Sequence, residues 1–407
     1  MRFAVAAAAA FIALGAHSAF AADPTLEELK AKFQETLSAS RMTLEAKGGK
    51  LAGPGAEFLR ARIAGSHFVL IGEEHGVATI ADTVRAILPD LTHAGYRHFA
   101  IETDPYTAAK LETMLRAGGT KEVAKFLAVD GNKFAIPFYN WSAEAELAAA
   151  AVKANASSTP ALWGLDQVFI GASAALLNDI AAQASAAEAK ALAGKLAAQA
   201  KGNLEFLGKA DLGEFAKLRG MLGAEQDREL AQLVDDMILS ARIYQPFTGV
   251  TTGLSVYAAN LERETLMKRT FLNRYRTAGG PKVAFKFGAN HMMSGLSATH
   301  VPSLANFVSE FALSEGKAAF KMLVLCGPGT QAGDLMGNPA PCDMDLTKDW
   351  PDLAGQVDAR QMTLFDLKSW KDRPSRWKHL PEETRHLIWA FDAVLFVPNG
   401  KPAAALK

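Results

Sequence analysis

Short apolar runs recur along this chain. Between them, apolar residues return every three or four positions, the spacing of one helix face. The runs at 67–75 (HFVLIGEEH), 98–104 (HFAIETD), 160–166 (PALWGLD), 281–291 (PKVAFKFGANH) and 317–326 (KAAFKMLVLC) read as buried strands, with weaker ones at 363–370 and 393–400. Helical spacing is expected at 25–46, where Leu26, Leu29, Phe33 and Leu37 share a face and Thr25 with Glu28 forms a capping box after Pro24. It continues at 78–94, 106–117 and 252–277. Strands alternating with helices predict an α/β fold with a central, mainly parallel sheet flanked by helices. Between about 171 and 245 strand signal disappears. Ala-rich sequence such as AAQASAAEAKALAGKLAAQAKG predicts a helical insertion into a single domain spanning 22–407.

The first residues, MRFAVAAAAAFIALGAHSAFAADPT, pair Arg2 with an apolar stretch and a small-x-small site at Ala19-Phe-Ala21. That is the layout of a secretory signal peptide over 1–21, and it places the mature protein in the periplasm or outside the cell. No later run holds 18 uninterrupted apolar residues, so no membrane span is expected in the mature chain. The two cysteines, Cys326 and Cys342, bracket a Gly/Pro-rich loop. In an exported chain they are expected to form a disulfide rather than a metal pair, since no His or Cys cluster surrounds them. Lys+Arg and Asp+Glu are both 43, and no basic excess points to nucleic acid. The partner expected instead is a small-molecule or peptide substrate.

The chemistry gathers at strand ends. Glu73, Glu74 and His75 follow one apolar run; Glu102 and Asp104 close the next; Asp166 closes the third; Asn290 and His291 follow the fourth. In parallel α/β sheets ligands bind outside the carboxyl ends of the strands, so four such ends imply one convergent site. Extended backbone puts Glu73 and His75 on one side with Glu74 opposite, and Glu102 with Asp104 on a shared face. Asp104, followed by Pro105, also suits a helix cap. No GxSxG, HExxH, GxGxxG or GxxxxGK[ST] motif occurs. What remains is acid/base work by His and Glu on water, or a divalent metal held by them.

Gly72-Glu-Glu-His75 and Gly288-Ala-Asn-His291 are two GxxH motifs, with Ile101-Glu102-Thr-Asp104 between them. The set resembles the superfamily joining erythromycin esterases, ChaN-like haem-binding proteins and TraB/TIKI proteases. Gly164-Leu-Asp166 and Arg263-Glu-Thr-Leu-Met267 fit the same pattern, which spans about 65–305. The resemblance implies a pocket lined by catalytic Glu73, His75, Glu102 and His291, with Arg263 as a supporting or substrate-facing group; from their places at the strand ends, Glu74, Asp104, Asp166 and Asn290 are expected to bind substrate. It implies water attack on an ester, lactone or amide with a histidine as base; in the TIKI-like form, His75, Glu102 and His291 hold a divalent metal. Two alternatives travel with it: a haem- or iron-binding protein using the same histidines, with Met292 and Met293 beside His291, and a non-catalytic envelope protein on the same scaffold. The esterases place two residues between Glu and His where this chain has only Glu74, although Gly76 is esterase-like. Carboxylates and imidazoles converging within about 5 Å would support a site.

Overall fold

A computed structural model describes residues 24–157, 160–250, 253–371 and 377–407. The expected leader lies outside the described residues. Strands form at β1 (Arg41–Lys47), β2 (Lys50–Ala52), β3 (Phe68–Glu73), β4 (His98–Ile101), β5 (Leu162–Gly164), β6 (Val283–Gly288), β7 (Ala319–Cys326), β8 (Ala332–Gly333), β9 (Pro339–Ala340), β10 (Met362–Asp366) and β11 (Ala393–Val397). Nine make one sheet in the order β2–β1–β10–β11–β7–β3–β6–β4–β5; β8 and β9 form a separate small hairpin. From β11 to β5 every neighbour is parallel, while β10, β1 and β2 extend the sheet antiparallel. The fold is therefore α/β with a mainly parallel central sheet, as the strand–helix rhythm predicts.

Both faces of the sheet are covered, which is why its central strands read as continuous apolar runs. Val69, Ile71, Phe99 and Ile101 point into a core shared with the helices Pro54–Ala64, Ala78–His93 and Ser142–Ala154. Phe68, Leu70, Phe285 and Phe287 point the other way, against the helices Val256–Thr277, Leu304–Ser314 and Glu382–Ala390. The insertion forms its own apolar cluster, including Leu177, Leu196, Phe215, Leu218 and Met237.

The chain leaves β3 toward β4 and β5, yet β6 returns between β3 and β4, and β7 lies on the far side of β3. Connections from β3 and β6 thus diverge. The crevice at their carboxyl ends is the switch point where open α/β sheets bind ligands.

One expected helix is shorter than its pattern. It ends at Ser40, and Arg41–Lys47 is a strand instead. Leu44 lies seven residues after Leu37 and fits either period, but antiparallel pairing with β10 and β2 satisfies this backbone and buries Leu44 in the sheet. The strand at 98–104 also stops early, at Ile101. Thr103 N–H then turns back to the Ile101 carbonyl, so Glu102 and Asp104 do not share a face.

Candidate active site

Four strand ends deliver the site. Glu73 closes β3, Glu102 follows β4, Asp166 follows β5, and His291 sits in the single turn Ala289–Met292 after β6. The glycines of the two GxxH motifs have separate uses. A Cβ on Gly72 would meet the Met292 side chain at 3.1 Å, and one on Gly288 would lie 2.6 Å from His75 Nε2. Gly76 takes φ +80°, and a Cβ there would collide with the Gly333 carbonyl.

His75 Nδ1 lies 3.1 Å from Glu73 Oε1, and its Nε2 is 3.5 Å from Glu102 Oε2. His291 mirrors it from the other side: Nε2 is 3.3 Å from Glu102 Oε1, and Nδ1 is 2.7 Å from Glu264 Oε1. One carboxylate, Glu102, thus stands between two imidazoles. The Gly288 N–H donates to its Oε2 at 2.7 Å, and Arg263 Nη2 to its Oε1 at 3.0 Å. Arg263 also forks onto Asp166, Nε to Oδ1 at 2.9 Å and Nη2 to Oδ2 at 2.5 Å, a bidentate geometry that fixes the guanidinium. Behind Glu73, buried Lys286 donates to it at 2.5 Å and to both oxygens of Glu144 at 2.8 Å. The row runs unbroken from Glu144 to Asp166.

This charge pattern sets the protonation. Burial works against a charged His75, but its contacts with Glu102 and Glu73 prevail and lift its pKa to about 10. His291 likewise resists burial through Glu102 and Glu264, despite Arg263, and reaches about 9. Burial pushes Glu102 up, yet the two imidazoles hold it well below the usual carboxylate range. Glu73 is lowered against its burial by Lys286 and His75, whereas burial and the neighbouring Glu73 charge raise Glu144 despite Lys286. At neutral pH both histidines are therefore imidazolium, not the free ring that a resting general base requires.

The histidines differ in access. The His75 side chain is 31% exposed and that of His291 10%; both border the cavity, and His75 is the more accessible. Phe138 stacks on its ring at 4.1 Å and 16°. Phe138 holds φ +68°, a left-handed conformation rare for a bulky residue, which marks a locally constrained turn at the site. A cavity of about 480 Å³ opens here, bordered also by Asn290, Gln167, Tyr244 and Met344.

Of the other expected site residues, Asp104 lies outside the cavity and Glu74 borders it. Asp104 caps the helix Pro105–Gly118, accepting from Tyr106 N, Thr107 N and Thr107 Oγ1, and it does not border this cavity. Glu74 points away from His75 as strand alternation requires. Its Oε1 accepts from the Asp343 and Met344 amides, pinning the segment that follows the Cys326–Cys342 disulfide; its Oε2 is buried without a partner, and burial raises its pKa. Glu74 thereby fixes the cavity wall at Met344. Sequence reasoning passed over Lys286, Glu144 and Phe138, and met Glu264 only as the acid of the Arg263-Glu-Thr-Leu-Met267 motif. A lysine inside the apolar strand VAFKFG was a readable signal, because lysine is almost never fully buried unless paired. Glu144, in an alanine-rich helix, gave none.

The proposed metal set does not fit this arrangement. Among the described residues, the one His/Cys/Asp/Glu group with a donor atom from each within 4.8 Å of the others is Glu74, Cys326 and Cys342, and those sulfurs are joined to each other. His75, Glu102 and His291 do not converge on a common point, and both rings hold protons a metal would have to displace. A haem ligand role fits no better: both nitrogens of His291 face carboxylates, and Met292 is fully buried in the core.

No protein-family model matches the chain, and no curated protein does so by sequence. Solved structures do match in shape. An erythromycin esterase, EreC, seen as a His-to-Asn mutant in its open conformation, superposes with a TM-score of 0.61 at 13% identity, covering 90% of this chain and 100% of that one. The chain has an erythromycin esterase-like fold. A succinoglycan biosynthesis protein and a protein from Bacillus cereus each align with TM-score 0.60 at 13% identity, over 93% of this chain and 99% of theirs. Within the erythromycin esterase-like fold, the paired imidazoles stand at the carboxyl ends of the two central strands β3 and β6, beside the switch-point crevice.

Proposed function

We propose that the protein is an exported hydrolase of the erythromycin esterase-like superfamily, adding water to an ester, lactone or amide carbonyl of a small-molecule or peptide substrate. The observation that carries this reading is His75: a partly exposed imidazolium at the cavity floor, held by Glu73 on one nitrogen and facing Glu102 with the other. The oxidised Cys326–Cys342 pair and the expected leader support export.

The chemistry follows from the protonation pattern. The substrate carbonyl lies over the cavity floor beside His75 Nε2. Water adds to the carbonyl carbon, and its proton passes to Glu102. The His75 Nε2–H protonates the departing oxygen or nitrogen as its bond to carbon breaks. The proton on Glu102 then returns to His75 across their 3.5 Å separation. Glu102 is a weak base at rest because two imidazoliums flank it; loss of the His75 proton removes one of them and strengthens it at the moment it must accept. Arg263, fixed by Asp166, and His291, fixed by Glu264, hold the Glu102 carboxylate in place.

The test is turnover of a panel of aryl esters, lactones and short peptides by the wild type, His75→Gln and His291→Gln. Each variant should lose about 10²-fold or more in kcat while keeping wild-type circular dichroism. Wild-type rates in either would sink the proposal. The pH profile separates mechanisms: kcat/KM should fall as pH rises through about 10, where His75 loses its proton. A rise in that window would instead assign His75 as the base.

A further inference from the structure

A second cavity, of about 720 Å³, lies on the far side of Asp166 and Gln167 from the candidate active site; these two residues border both spaces. One wall is a single face of the helix Val256–Thr277, which presents Arg269, Asn273 and Arg274. The opposite wall carries Tyr106 and His98, the latter packed on Trp163 at 4.5 Å and bonded through Nδ1 to the Pro160 carbonyl.

The charges in this cavity are unequally satisfied. Its acids are all engaged. Asp104 caps a helix, Asp166 is forked by Arg263, and Asp236 accepts from Tyr106 Oη at 2.6 Å and Gln232 Nε2 at 3.0 Å. Arg269 pairs with Glu262 at 3.3 Å on the exposed surface. Arg274 is half-buried, and among the described residues its guanidinium has no hydrogen-bond or ion-pair partner, the charge of the Glu112 carboxylate acting on it only from beyond ion-pair distance. A half-buried guanidinium with five unused donors beside an open cavity is matched to a planar or tetrahedral oxyanion.

We propose that this cavity is a binding site for a small polar molecule carrying a phosphate or carboxylate group, with Arg274 gripping the oxyanion and Arg269 and Asn273 beside it. The site stands independently of the hydrolase reading, because it requires no turnover. Being C-terminal on its helix, Arg274 also complements the helix dipole. That role leaves the guanidinium's donors on the cavity side free, and it predicts no ligand selectivity.

The experiment is calorimetric titration of the full-length protein with inorganic phosphate, succinate and glycerol 3-phosphate, each at constant ionic strength. Saturable binding of at least one oxyanion is expected, weakened roughly tenfold or more in Arg274→Ala and only partly in Arg274→Lys, which keeps the charge but loses the fork. The stronger of phosphate and succinate names the oxyanion. Unfolding midpoints of all variants are measured alongside. Should Arg274→Ala not fold, Arg274→Lys and Arg269→Ala carry the comparison. No saturable binding of any of the three, or equal affinity in wild type and the Arg274 variants, overturns the proposal.

Discussion

Replacing Lys286 by Met tests the buried charge row where it is least shielded. Lys286 is 6% exposed, and its ammonium lies 2.5 Å from Glu73 and 2.8 Å from both Glu144 oxygens. Methionine fills similar volume, so the cavity contribution is small and the change is chiefly electrostatic. It leaves two carboxylates facing each other with one cation fewer. Breaking a buried ion pair by removing one partner costs about 3–5 kcal/mol, because the remaining charge stays desolvated and unpaired. Glu144 is orphaned here while Glu73 keeps His75 at 3.1 Å, which places the loss at the lower end of that range. The structure also supplies a compensating change. Glu144→Gln in the Lys286→Met background removes one of the two charges and should recover about half of the loss, so the two substitutions are non-additive. Sign and pH dependence follow from the same groups. In Lys286→Met the Glu144 carboxyl, already raised by burial and Glu73, rises further and holds a proton in the folded state. A carboxyl whose folded pKa exceeds its unfolded value binds more protons folded, so the variant's stability declines as pH rises. The deficit should be smaller at pH 5 than at pH 7. Urea unfolding followed by circular dichroism at both values measures it. A loss under about 1 kcal/mol at pH 7, or a double variant no better than the single, would refute the coupled row.

The histidines make a separate prediction for the wild type. Their folded pKa values, about 10 for His75 and about 9 for His291, lie above the unfolded value near 6.5, so their stabilisation is complete below that value. It is lost as pH climbs through 9 and 10, and urea midpoints that stay flat or increase from pH 7 to 10 would contradict the assignment. Gly288→Ala places a Cβ 2.6 Å from His75 Nε2 and should displace the ring, reducing turnover about 10²-fold with a smaller effect on unfolding; unchanged kinetics would show that the ring position is not critical. Reducing Cys326–Cys342, which closes a loop of separation 16, should lower stability by about 3 kcal/mol in the chain-entropy model, with unfolding midpoints in the presence and absence of reductant as the measurement. Because Glu74 ties the adjoining Asp343 and Met344 amides, reduction should also loosen the Met344 wall, visible as faster amide exchange at 343–344; unchanged exchange there would separate the disulfide from the site.

Local pattern determined much of this protein. The strand runs, the Ala-rich helical stretch and the placement of Glu73, His75, Glu102 and His291 at strand ends are legible because buried parallel strands must be continuously apolar and must end where polar groups can begin. Strand alternation distinguishes Glu74 from Glu73, and the two carboxylates have different partners, the Asp343 and Met344 amides for Glu74 and Lys286 with His75 for Glu73. The tertiary structure decided what no local window contains. In the sequence Glu264 is only the residue that follows Arg263 in its helical motif, but it is buried against His291, because helix position relative to the sheet sets which side faces inward. Glu144 reads as one acid in an alanine helix, yet that helix crosses β6 where Lys286 needs a counter-charge. Arg41–Lys47 became a strand only because β10 and β2 offered it partners. Protonation was the last thing decided. His75 and His291 are imidazolium because Glu102 stands between them, and electrostatic energy depends on distances across the sheet that sequence spacing does not encode.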